Sequence, residues 1–198
     1  MAYFFQEGPA DEQLVVLFHG TGGNEYQLLP LARELYPQAS VLSFLGDAGT
    51  GAARRFFAPL VDGTLQHDDY KSKIQSFLEQ WPTVDITDRE IIFIGYSNGA
   101  NFILGLLADE PAIADKVLLL HPSNLGYHFS GSQPDVEVVL TTGANDYTSP
   151  AGQILQLKEQ LDGHFGQVSF LLLDGAHELS EQEVNELKKT LGAEPQDQ

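Results

Sequence analysis

Ser97 lies in Gly95-Tyr96-Ser97-Asn98-Gly99, between an apolar run at residues 91–94 and a helix-compatible stretch at 100–107. A serine on a tight strand-to-helix turn, with a glycine two residues to either side, is held in a strained backbone with its hydroxyl raised above a sheet. That placement suits nucleophilic attack on an acyl carbon. The chain has no cysteine, so a nucleophile has to be serine, threonine, lysine or a carboxylate. A serine hydroxyl reacts poorly at neutral pH unless a histidine takes its proton and an acid orients that histidine. Among six histidines, His177 in Asp174-Gly175-Ala176-His177-Glu178 follows the apolar run 168–173 and is the expected base. Asp146, in Gly143-Ala144-Asn145-Asp146-Tyr147 after the run 136–140, falls between serine and histidine in chain order and is the expected acid. Asp174 competes, but as the last residue of a strand it falls short of the outer ring nitrogen.

Acyl transfer also needs two backbone N–H groups aimed at the developing oxyanion. Asn98, next to the nucleophile, supplies one, and Thr21 in His19-Gly20-Thr21-Gly22-Gly23 is the expected second. That loop is neither G-x-G-x-x-G nor followed by a lysine, which argues against a phosphate cradle. His19 is expected to prop the loop, and His67, His128 and His164 to be solvated. His121, directly after the run 117–120, is expected at the mouth of the site, where Phe56 and Phe57 are candidate pocket residues alongside it.

These residues can meet only if a sheet carries them. The runs 14–18, 41–45, 91–94, 117–120, 136–140 and 168–173 are almost continuously apolar, as in strands covered on both faces. Tyr70, Ile74, Phe77, Leu78 and Trp81 recur at helical spacing; Ser149 and Pro150 open a second helix; Ser180 with Glu183 forms a capping box at the start of a third. Such alternation predicts an α/β fold, a mostly parallel sheet of six or more strands with helices on both faces and functional groups at the C-terminal strand ends. His67, Asp68 and Asp69 are expected to solvate or cap the helix that follows rather than to hold a metal.

At 198 residues the chain is expected to be one domain, residues 1–198, with a disordered tail at 192–198. Its 28 acidic and 10 basic residues leave a formal charge of −18, which argues against nucleic acid and anionic membranes as partners. Residues 1–11 show neither a basic nor a long apolar signal segment, so the expected location is cytoplasmic, without membrane insertion. Arg54 and Arg55 stand out in so acidic a chain. Salt bridges to the acidic surface are the leading expectation for them, and attraction of an anionic substrate is the second.

The loop at 19–23, the elbow at 95–99, the turn at 143–146 and the loop at 175–177, in that order, resemble the α/β-hydrolase superfamily. Within it the chain is most similar to the small carboxylesterase, phospholipase and acyl-protein thioesterase family, which has no cap domain. The stretch Arg54-Arg55-Phe56-Phe57 is similar to one in its bacterial carboxylesterase branch. The resemblance implies a serine hydrolase cleaving small carboxylic esters, or alternatively lysophospholipids or acyl-thioesters, through Ser97, Asp146 and His177 with neither metal nor organic cofactor. A non-catalytic binding protein on the same fold is the remote alternative. A homodimer is compatible with all of these readings.

Overall fold

The computed structural model describes residues 1–10, 12–84 and 87–192. Seven strands form one sheet: β1 (Ala2–Gln6), β2 (Gln13–Phe18), β3 (Ser40–Leu45), β4 (Glu90–Tyr96), β5 (Lys116–Leu120), β6 (Gln133–Gly143) and β7 (Phe165–Leu173), in spatial order β1-β3-β2-β4-β5-β6-β7. Every neighbouring pair is parallel except β1 with β3. The six apolar runs of the sequence are the six parallel strands. The antiparallel edge strand β1 falls within the expected six or more but is not among the runs that locate the others. Its side chains are largely exposed, so it lacks the buried apolar run by which the others are recognised.

Five helices cover the two faces. Helices α2 (His67–Gln80), α3 (Asn98–Asp109) and α4 (Ala151–Asp162) share a core with Leu14, Val16 and Phe18, whereas α1 (Leu29–Leu35) and α5 (Glu181–Thr190) pack on Val15 and Leu17 of the opposite face. Successive residues of β2 therefore feed two cores, as the pleat requires. Phe18 is fully buried, its ring centroid 5.3 to 5.9 Å from those of Phe44, Phe56, Phe77, Phe93 and Phe102. Truncating such a ring to alanine costs roughly 3–5 kcal/mol.

Three local details differ from expectation. Helix α2 ends at Gln80, and Trp81 opens a 3₁₀ turn whose second residue is Pro82. Ser149 does not cap α4; its hydroxyl donates to the His121 carbonyl at 2.8 Å. Ser180 does cap α5, accepting from the Glu183 N–H at 3.1 Å, but the Glu183 side chain turns into the protein instead of returning to the cap. His67 begins α2, with Asp68 and Asp69 in its first turn, and Asp69 accepts from the Ala58 N–H at 2.6 Å. Of the tail at 192–198, only Gly192 falls within the described residues. Among the described residues no helix is long and apolar enough to cross a membrane.

Candidate active site

Strand β4 ends at Tyr96, and α3 begins at Asn98, so Ser97 alone makes the turn, at φ 51° and ψ −109°. A non-glycine residue at positive φ is strained and persists only when its surroundings enforce it. Here the Ser97 N–H donates to the Leu120 carbonyl at 2.8 Å, and the Ser97 carbonyl accepts from Asn101 N–H at 3.0 Å. The flanking glycines are spatial necessities: a Cβ on Gly99 would lie 2.0 Å from the Phe18 carbonyl oxygen, and one on Gly95 would lie 2.7 Å from the Ala100 nitrogen.

His177 and Asp146 come to this turn from the ends of β7 and β6. Ser97 Oγ is 2.9 Å from His177 Nε2, and His177 Nδ1 is 2.8 Å from Asp146 Oδ2. An ionised carboxylate only accepts, so the proton sits on Nδ1 and Nε2 is left to accept from the serine hydroxyl. Asp174, the competing acid, is exposed. The Tyr96 hydroxyl donates to the His177 carbonyl at 2.8 Å and fixes the loop that carries the ring. Burial, with help from Glu178 and Asp146, pushes the Tyr96 pKa up to about 12, so it stays a donor.

Behind Asp146 lies a group that sequence reasoning missed. His121 is 1% exposed; its Nδ1 is 2.8 Å from Asp146 Oδ2 and its Nε2 is 3.1 Å from Glu183 Oε2. The second Glu183 oxygen accepts from Thr141 Oγ at 2.6 Å, and Asp146 Oδ1 accepts from the N–H groups of Thr148 and Ser149 at 2.9 and 2.8 Å. With a carboxylate at each ring nitrogen, the arrangement favours His121 donating twice, as an imidazolium. Burial pushes its pKa down, but the hydrogen bond and charge of Glu183, then those of Asp146, outweigh it and leave the pKa raised. For Asp146, burial pushes the pKa up, and the bonds from His121, Ser149 and His177 bring it below the ordinary value. His121, Asp146 and His177 offer ligand atoms within 4.8 Å of one another, the spacing of a metal set. A cation there would have to take Asp146 Oδ2 from both ring N–H donors.

A cavity of about 150 Å³ opens in front of Ser97, lined by Thr21, Asn98, Arg55, Phe57 and Leu125 among others. The two expected oxyanion donors thus share the cavity with the serine. Asn98, as the first residue of α3, has an N–H with no acceptor in an earlier turn. Its side-chain Oδ1 accepts from the Phe56 N–H at 2.8 Å, and the Gly22 N–H donates to the Arg54 carbonyl at 2.8 Å, so both donors are tied to the Arg54–Phe56 strip. His19 props this corner: Nδ1 donates to the Gly20 carbonyl at 2.7 Å and Nε2 accepts from the Gly46 N–H at 3.0 Å. Of the three candidate pocket residues, only Phe57 lines the cavity. Phe56 is fully buried against Phe18 and Phe102, and His121 is shut behind Asp146 rather than standing at the mouth.

No family model matches the chain. The Bacillus subtilis protein named "Putative hydrolase MhqD" is 28% identical over 197 residues, 96% of each chain. Among solved structures, the Bacillus cereus carboxylesterase is 30% identical with a TM-score of 0.85, covering 96% of this chain and 93% of that one. YahD, solved with malic acid, is 27% identical with a TM-score of 0.82, covering 97% and 98%.

Proposed function

Because the chain belongs to the small α/β-hydrolase esterase family and is a hydrolase, we propose that it cleaves small carboxylic esters through an acyl-enzyme on Ser97. One observation carries this reading: Ser97, at positive φ on its elbow, is hydrogen-bonded to His177, which is hydrogen-bonded in turn to buried Asp146. As Ser97 Oγ attacks the acyl carbon, its proton passes to His177 Nε2, and Asp146 stabilises the imidazolium so formed. The N–H groups of Thr21 and Asn98 receive the oxyanion. When the tetrahedral intermediate collapses, His177 returns the proton to the leaving alkoxide. Water then repeats the sequence on the acyl-serine, releasing the acid and restoring Ser97.

A cavity of about 150 Å³ is small beside the usual ligand pocket, which supports short acyl groups over the long chains of lysophospholipids or acyl-proteins. YahD, the relative solved with malic acid, shows this fold in the company of a compact organic acid.

The test sets phenyl esters from acetate to decanoate beside acyl-thioesters and lysophospholipids, with Ser97→Ala as the control. Turnover should peak at short acyl chains, Ser97→Ala should lose about 10³-fold or more, and a fluorophosphonate should label the wild type alone. Full activity in Ser97→Ala, with no label on the wild type, would overturn the assignment; rates flat to decanoate would overturn the preference for short chains.

A further inference from the structure

Arg55 lines the Ser97 cavity, yet its guanidinium is given no acceptor by the described residues. Its Nε is buried with no hydrogen-bond partner, no salt bridge reaches the side chain, and its one neighbour of note is the Phe57 ring, whose centroid lies 5.7 Å from the guanidinium carbon. This overturns the expectation of a surface salt bridge. Lys73, Lys116, Lys158 and Lys188 each meet a carboxylate, and Arg54 donates to the Gly46 carbonyl at 3.1 Å. In a chain of net charge −18, a partly buried arginine without a carboxylate is conspicuous, because acids are everywhere to hand.

The rest of the cavity points the same way. Among the described residues its lining contains no Asp or Glu, and Arg55 is the one charged side chain in it. Asn98 Nδ2, from the residue beside the nucleophile, is a second buried donor without a partner. A buried donor left unmet costs free energy, and among the described residues the Arg55 guanidinium is the charged group that an anion entering the cavity meets. The loop that carries Arg55 is also held in place. The N–H groups of Ala48 and Arg55 each donate to the other residue's carbonyl, at 3.0 and 2.8 Å, and the next N–H, of Phe56, is pinned to Asn98 Oδ1. A planar guanidinium carried on a loop held in this way can donate two parallel N–H bonds to a carboxylate, a geometry unavailable to lysine.

We propose that the substrate carries a carboxylate, and that Arg55 binds it while Ser97 attacks the ester at the other end of the same small cavity. The substrate class is then the half-ester of a short dicarboxylic acid. This rests on the serine-esterase reading above, and Arg55 is its specificity-determining residue.

The test compares monomethyl succinate with its uncharged isostere methyl succinamate, following proton release in a pH-stat, on the wild type and on Arg55→Gln, Arg55→Lys and Arg54→Gln. The quantity read is the ratio of kcat/KM for the charged ester to that for the neutral one. The wild type should favour the charged ester about tenfold or more, Arg55→Gln should bring the ratio close to one, Arg55→Lys should keep part of it, and Arg54→Gln should leave it unchanged. A wild type without preference overturns the proposal even if a variant fails to fold. So does a preference that survives in Arg55→Gln, or one lost equally in Arg54→Gln. Inhibition by inorganic phosphate as strong as by succinate, without preference for the half-ester, assigns the arginine to a phosphate and overturns the carboxylate. Phenyl acetate separates the two readings: if Ser97→Ala abolishes its hydrolysis while the wild type ignores the succinate charge, the esterase assignment stands and only the substrate class falls.

Discussion

On the sheet side of His177, the side chains of Asp146, His121, Glu183 and Thr141 answer one another with hydrogen bonds of 2.6 to 3.1 Å. On the cavity side, Arg55 Nε and Asn98 Nδ2 are buried and answered by nothing in the described protein. Both regions are polar and adjoin the Ser97–His177 pair, so the difference lies in what completes them. The rear group is complete without a ligand. As two carboxylates and one imidazolium it would place a single negative charge against His177, where the proposed mechanism forms a positive charge during attack on the ester. On the proposal above, the Arg55 guanidinium meets its acceptor only when substrate enters the cavity. On these proposals a satisfied polar cluster positions the reacting groups, and an arginine without an acceptor selects what they react with.

The strongest way to break the rear side is Asp146→Asn. The new amide donates where the carboxylate accepted, which turns His177 to the wrong tautomer, and kcat should fall about 10⁴-fold. Steady-state hydrolysis of phenyl acetate measures this, and a loss below tenfold would mean that Asp146 does not orient the base. Next in size is Glu183→Ala, which leaves the His121 Nε2–H and the Thr141 hydroxyl buried with no acceptor. A buried charge stripped of its partner costs roughly 3–5 kcal/mol, read from the urea midpoint. A cost under about 1 kcal/mol would show that His121 is not held as a cation.

The same cation has a pH signature of smaller size. His121 has a raised folded pKa, so its stabilisation is fully present below the unfolded value near pH 6.5 and is lost as pH climbs through the folded value. Asp146 has a depressed one, so its stabilisation is present above about pH 3.9 and is lost as pH falls through the folded value. The stability advantage of wild type over His121→Gln should therefore be greatest between about pH 4 and 6.5 and shrink on the alkaline side. Thermal melts across that range check it; a difference independent of pH would reduce the role of His121 to packing. The mildest change sharpens the front side. Leu125 lines both the Ser97 cavity and a neighbouring one of about 330 Å³. Leu125→Ala should raise turnover of longer acyl esters a few-fold relative to acetate, by opening one cavity into the other.

How much of this was legible in the sequence depended on whether the signal was local. The elbow around Ser97 declares itself because strand, glycines and helix are contiguous, and the turns carrying Asp146 and His177 each follow an apolar strand. Glu183 reads as half of a capping box, and its second role depends on α5 packing beneath β5 and β6, a contact between distant segments. His121 is placed by the same non-local packing, which is why a residue expected at the mouth lies behind the acid instead. Arg55 could be noticed but not assigned, because the decisive fact is the absence of a carboxylate around it in three dimensions. Helix α1 offers only seven residues for a period to show, and β1 is an exposed edge.

The C-terminal ends of four adjacent parallel strands carry a further consequence. Ser97 and His121 stand one residue past the ends of β4 and β5, Asp146 three past the end of β6, and His177 four past the end of β7. Neighbouring strands lie about 4.8 Å apart, so the loop after β7 has to carry His177 back across the sheet to Ser97, and a slip of one residue would move a strand about 3.3 Å. That displacement exceeds the whole 2.9 Å length of the Ser97–His177 bond. With Ser97 as the proposed nucleophile, ester turnover becomes a gauge of shear between strands: a change anywhere in the sheet that lets one strand slide should silence the serine while the helical signal of the protein still looks intact.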